Sequence, residues 1–215
     1  IPLWQFEHPG EPRTAVGYSF GMLLSLLHRL DMIPDHEDEV RAAVEAMKSL
    51  QHDLGPQQPL EENPARPLAD RLHGRWPVFL GAAFLAQVAR RWRPQVAELV
   101  KAMAQFEELP EADHNMLEAV HFPEELRHAA VMVFLQADLL HPRNQLRTRF
   151  SRESFDEAGL LTAAVQASGS SRLAQQWTSL YFGDYTAYYL ALQYGINPTP
   201  VPRMQALKGK LGSVS

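Results

Sequence analysis

His121, Glu124, Glu125 and His128 fall at i, i+3, i+4 and i+7, a spacing that puts imidazole and carboxylate groups on one helical face and could hold a cation. Pro123 interrupts that helix at its start, so the four read as a solvated face. Ser168-Gly169-Ser170-Ser171 is a polar turn of the kind that can hold an anion, with the composition of an ordinary strand-to-helix loop. Tyr181, Tyr185, Tyr188 and Tyr189, with Leu190 and Leu192, read as core and domain-interface residues of a helix, with no cofactor implied. The absence of cysteine removes disulfides, thiolate catalysis and sulfur-ligated metals. Neither a cofactor nor a metal site is expected.

The 215 residues, 46% of them hydrophobic, supply one sizeable core, read as a main domain with an N-terminal helical annex. A net charge of -5 without a dense Lys/Arg run argues against nucleic acid as partner, because backbone binding needs a basic stripe. A local basic pocket for a small anionic substrate stays compatible with that charge. The most apolar stretch, from Ala129 to Leu140, is interrupted by Gln136 and Asp138 and is far short of the roughly 20 residues that span a bilayer. No secretory signal is visible, so a cytoplasmic protein with no membrane partner is expected. The chain opens on Ile1 rather than Met, which suggests a fragment, a processed product or a trimmed chain.

The elements follow from apolar periodicity. Arg13 to Leu30 is apolar at helical spacing (Val16, Phe20, Leu23, Leu24, Leu27, Leu30), with Pro12 where a first-turn proline is tolerated. Asp35 to Leu54 predicts a second helix that stops at Gly55, and the two read as a helical hairpin. Residues 55–74 carry Pro56, Pro59, Pro64 and Pro67, a connecting segment with room for one short helix, so the boundary is placed here: 1–74 before it, 75–215 after it. Beyond it, short apolar runs alternate with helical patterns. Strands are expected at 77–80, 103–107, 130–135 and 160–165, and helices from about Phe84 to Trp92, near 113–120, 142–157 and 170–195, and from about Arg203 to Leu211. That alternation predicts an α/β fold with a parallel sheet covered by helices on both faces.

Four segments in order carry a family resemblance. Glu11-Pro12-Arg13-Thr14-Ala15-Val16-Gly17-Tyr18 is similar to a "PRAA-x-GY" opening. Arg75-Trp76-Pro77-Val78-Phe79-Leu80-Gly81, running to Arg91-Trp92-Arg93-Pro94-Gln95-Val96-Ala97-Glu98, resembles "PVIYGS … ARRWKxQLNEN". Glu108-Leu109-Pro110-Glu111-Ala112-Asp113-His114-Asn115 resembles "ELPELNHNE". Gly183-Asp184-Tyr185-Thr186, continuing to Asn197-Pro198-Thr199-Pro200-Val201-Pro202, is close to "GD…YLALLxGxDPTPV". On these the chain resembles the bifunctional phosphoglucose/phosphomannose isomerase family: the linker helices plus the second of two SIS (sugar isomerase) domains. The resemblance implies a three-layer SIS-type fold, and it places the first SIS half, with the Ser/Thr-rich loop that grips the sugar phosphate, upstream of Ile1.

The implied reaction is aldose-ketose isomerisation of a sugar 6-phosphate, which needs ring opening, a base between C1 and C2, and a positive group for the developing enediolate charge. Glu98 aligns with the family's base. His114 aligns with the histidine proposed to assist ring opening, a task that suits a group titrating near neutrality. That histidine reaches into the adjacent subunit's site, which implies a homodimer. Arg13 matches the arginine that stabilises the enediolate, and Lys208 matches a lysine near the ring oxygen, with Lys210 as the alternative. Two positions depart from the pattern: Met116 stands where a glutamate is usual, and Ala82-Ala83 where a serine is usual. Those losses motivate a second reading, a catalytically silent sugar-phosphate-binding regulatory SIS module. A purely structural dimerisation domain is the third.

Overall fold

The computed structural model describes residues 3–59 and 61–213. The chain separates into two compact units, one reaching to Asp38 and one beginning at Glu39. In the first, a 3-10 turn at Pro12–Thr14 leads into α1 (Val16–Arg29). The fixed φ of Pro12 suits that first-turn position. Phe6 stacks on Tyr18 with ring centroids 4.9 Å apart, and the Arg29 guanidinium lies over the Trp4 ring.

The second unit is an α/β structure. Its elements are α2 (Glu37–Leu54, which opens at the junction), α3 (Ala65–Leu72), β1 (Trp76–Ala82), α4 (Ala86–Gln95), β2 (Gln105–Leu109), α5 (Ala112–Asn115), α6 (Glu124–Ala129), β3 (Ala130–Gln136), α7 (Pro142–Glu157), β4 (Leu161–Gln166), α8 (Arg172–Gln193) and α9 (Pro202–Gly212). The four strands form one sheet in the order β2-β1-β3-β4, with every pair parallel. Phe79 at the centre of β1 pairs with Phe106 on one side and Val133 on the other.

Strand side chains alternate between the two faces, and both faces are covered, so β1 and β3 are near-continuous apolar runs rather than alternating ones. Phe79, Val131, Val133, Leu135, Ala163 and Val165 pack in one core with residues of α3, α4 and α8. Val78, Leu80, Met132 and Phe134 pack in the other, here called the lower core, with Ala112 of α5 and Phe155 of α7. These two cores divided by a parallel sheet are the predicted architecture.

Differences from the expected elements are local. The second strand begins at Gln105 rather than 103: Met103 stays outside the sheet and exposed, and the register starts where Gln105 pairs with Val78. The helix expected over 113–120 is only Ala112–Asn115, after which the chain turns while Met116, Leu117 and Val120 pack against the lower core. His121 lies in a bend before Pro123, outside the helix that carries Glu124, Glu125 and His128, so these four do not share one helical face. The Ser168–Ser171 turn joins β4 to α8, and the Ser171 hydroxyl caps the helix by accepting from the Ala174 N–H.

Two ties hold the helices on one side. Asn63, almost wholly buried, donates from Nδ2 to the Leu54 carbonyl at 2.9 Å and to the Tyr189 hydroxyl at 3.1 Å, joining the end of α2 to α8. Trp92 of α4 donates from Nε1 to the Ser179 carbonyl of α8 at 3.1 Å. The helices cross closely at this point because residue 183 is glycine: a Cβ there would sit 2.2 Å from atoms of the Trp92 ring.

Candidate active site

Glu98 sits where α4 stops being an α-helix. Pro94, inside the helix, cannot donate to the preceding turn, and from Val96 to Val100 the chain winds as a single π turn. Lys101 then ends the helix in the left-handed region at φ 61°, a conformation that costs a side-chain-bearing residue about 1–2 kcal/mol. Its ammonium turns back to cap the Glu98 carbonyl and also donates to the Pro198 carbonyl at 3.2 Å. The turn is thereby fastened to the loop that leaves α8. Glu98 itself is half-buried.

One residue before the π turn, Gln95 is 4% exposed and its Nε2 donates to the Asp184 carboxylate of α8. Desolvation pushes the Asp184 carboxyl up to about 6, against the Gln95 hydrogen bond and the nearby Arg91 charge, which both pull it down. The Tyr181 phenol is pushed upward too, by desolvation first and then by its hydrogen bond with Tyr185. The turn bearing Glu98 is therefore held on both flanks, by Gln95 with Asp184 on one and by Lys101 with Pro198 on the other.

His114 lies on α5, just after the carboxyl end of β2, with its side chain exposed. Its neighbour Asp113 anchors the segment to α7: Arg147 Nε is 2.9 Å from one carboxylate oxygen, and the Ser151 hydroxyl donates to the other at 2.7 Å. Met116, in place of the usual glutamate, is part-buried against the lower core, so at this position an apolar packing contact replaces a charge. Ala82 is fully buried, and Ala83 takes φ 51° at the end of β1.

Glu98 and His114 are not brought together within the chain. β2 runs between them, and its five residues span about 13–17 Å at the usual rise. Because α4 and α8 return from the carboxyl edge of the parallel sheet, Glu98 and Pro198 lie toward its amino edge and His114 toward its carboxyl edge. Arg13, in the first unit, has a side chain only 8% exposed, 3.9 Å from Glu11. Lys208 and Lys210 both lie exposed on α9.

Sequence reasoning missed the hydrogen bonds that hold the segments bearing Glu98 and His114. Gln95 and Asp184 are 89 positions apart, and Ser151 and Asp113 are 38 apart, so no local spacing links them. In the sequence, Gly183-Asp184 is legible only as part of a matching motif. Among the described residues no group of three or more His, Asp or Glu is arranged to hold a metal ion, and no helix is long and apolar enough to cross a membrane.

Comparison with known proteins agrees with this architecture. Residues 61–211 match the family described as the bacterial phospho-glucose isomerase C-terminal SIS domain. A bifunctional phosphoglucose/phosphomannose isomerase of Caldicellulosiruptor bescii is 31% identical over 205 residues, covering 95% of this chain and 60% of that protein. Its counterpart in Aquifex aeolicus is 28% identical, covering 90% of this chain and 58% of that protein. The chain thus spans about 60% of the length of the curated relatives it matches. The crystal structure of a glucose-6-phosphate isomerase like protein from Thermus thermophilus superposes with a TM-score of 0.68 at 27% identity, over 82% of this chain and 58% of that one. With the family match covering most of its length and the parallel sheet in place, this chain belongs to the bacterial phospho-glucose isomerase family, of which it carries the C-terminal SIS domain.

Proposed function

We propose that this chain is the C-terminal part of a cytoplasmic, homodimeric aldose-ketose isomerase that interconverts glucose 6-phosphate or mannose 6-phosphate with fructose 6-phosphate. The observation that carries the reading is the half-buried Glu98 carboxylate on a π turn tied down on both flanks, at the position where the family pattern has its base. A base held in one place reacts far faster than a mobile one, because the orientation cost is met before the substrate arrives.

In the proposed mechanism Glu98 removes the proton from C2 of the opened aldose as the C1 carbonyl takes up the electron pair, giving a cis-enediolate. Arg13 offsets the developing negative charge. The proton on the C2 oxygen passes to the C1 oxygen, Glu98 returns its own proton to C1, and the C2 oxygen becomes the ketone. The partner subunit's His114 moves protons between the ring oxygen and the C1 hydroxyl to open the ring, and Lys208 stands near that oxygen. The separation of Glu98 and His114 by the length of β2 supports a site shared between two copies.

The competing reading is a silent sugar-phosphate-binding module, favoured by the packing of Met116 and the burial of Ala82. Turnover separates the two. The full-length protein is expected to convert fructose 6-phosphate to an aldose 6-phosphate, and Glu98→Gln to lower kcat about 100-fold or more with binding largely kept. Binding of the sugar phosphate without any turnover by the unmodified protein would establish the silent module instead.

A further inference from the structure

We propose that Asp184 is a positioning residue for the Glu98 carboxylate, acting through the side-chain amide of Gln95. The inference rests on the reading of Glu98 as the base.

The segment that presents Glu98 has little strength of its own. Pro94 removes one backbone donor from the end of α4, and the π turn that follows is the rarest of the helical windings, seen mostly as single turns. A carboxylate that must meet C1 and C2 of a sugar within a few tenths of an ångström needs its backbone held from outside. Gln95 is the last residue of α4, one step before the π turn, and it is buried against α8. Its Nε2 donates to Asp184, while its Oε1 is buried with no hydrogen-bond partner among the described residues. The amide is therefore oriented by Asp184 rather than by a network.

The reach of Asp184 is built into the residue before it. A Cβ at 183 would overlap the Trp92 ring, so Gly183 lets the α8 backbone close on α4 one turn ahead of Gln95. Trp92 fixes the same crossing through Ser179. Gly183 gives the approach and Asp184 the acceptor; this accounts for the pairing of these two residue types without any contact to substrate. An ionised acceptor strengthens the bond to the amide, and the Arg91 charge nearby favours the ionised form against desolvation. Phenylalanine or leucine at 184 would pack against α4 more cheaply but would leave the Gln95 amide unheld.

The test is steady-state kinetics on the full-length protein carrying Asp184→Asn, Asp184→Leu, Gln95→Leu, Gln95→Leu with Asp184→Leu, and Glu98→Gln, each with its thermal midpoint measured. Asp184→Leu and Gln95→Leu are expected to lower kcat about 10- to 100-fold with KM within about twofold, the signature of lost alignment rather than lost binding. The double variant should be no slower than either single one, because both break the same link. Asp184→Asn, which keeps an oxygen acceptor for the amide, should restore most of kcat. Unchanged kcat per folded molecule in Asp184→Leu and Gln95→Leu, or full additivity in the double variant, would overturn the inference while Glu98→Gln is inactive. Normal turnover by Glu98→Gln would instead remove the reading of the base on which the inference rests.

Discussion

Arg147 Nε lies 2.9 Å from a carboxylate oxygen of Asp113, and because Ser151 takes the other oxygen, the short helix bearing His114 is fastened to α7 through one side chain. Both partners come from α7, Arg147 lying 34 positions and Ser151 38 positions further along the chain than Asp113. The position of His114 therefore depends on the packing of α7 beneath the sheet.

That dependence gives the first prediction. Asp113→Ala removes both bonds and should lower kcat about 10-fold through a displaced His114, the scale on which small misplacements act. Arg147→Ala removes one and should have a smaller effect in the same direction. Glu118→Gln, on the exposed turn nearby, should change turnover little. Initial rates on glucose 6-phosphate for the three variants check the order.

The contact between α4 and α8 makes a sharper prediction about stability. Gly183→Ala places a methyl group 2.2 Å from atoms of the Trp92 ring, a distance that forces the helices apart. A loss on the order of 1–3 kcal/mol is expected from the overlap. Urea denaturation should show it as a lower midpoint with an unchanged slope.

The Asp184 carboxyl, raised from its ordinary 3.8 to about 6, sets a pH dependence whose sign is fixed. The folded chain binds this proton more tightly than the unfolded one, so stability falls as pH rises from about 4 to about 6 and stays lowered above that. The penalty at neutral pH is roughly 1–3 kcal/mol. Asp184→Asn cannot ionise, so its thermal midpoint should exceed that of the unmodified protein by a few degrees at pH 7 and by little at pH 4.

Much of the fold was legible because a parallel sheet covered on both faces writes itself as apolar runs. Ala130 to Gln136 is such a run, and its central five residues are buried. The expected start of the second strand missed by two residues because the parallel partner, Val78, and not local composition, sets where Gln105 begins to pair. The helix expected over 113–120 failed because Met116, Leu117 and Val120 are drawn into the lower core, a tertiary contact that outweighs helix propensity. Glu98 lies beyond Trp92, where the expected helix stops, and the π winding that carries it and the αL lysine that ends it have no one-dimensional signature. Nor do the ties from Gln95 and Asp113, which pair residues from separate elements.

The central claim is that Glu98 carries a proton between C1 and C2. It is tested most directly by following fructose 6-phosphate conversion in deuterated water with the full-length protein, reading both turnover and deuterium bound to carbon in the product. Proton transfer through a carboxylate predicts solvent deuterium at C2 of the aldose formed, and a loss of about 100-fold or more in rate when Glu98 is replaced by Gln. Equal turnover with Glu98 replaced would contradict the assignment of the base, and turnover with no deuterium entering carbon would contradict proton transfer exchanging with solvent.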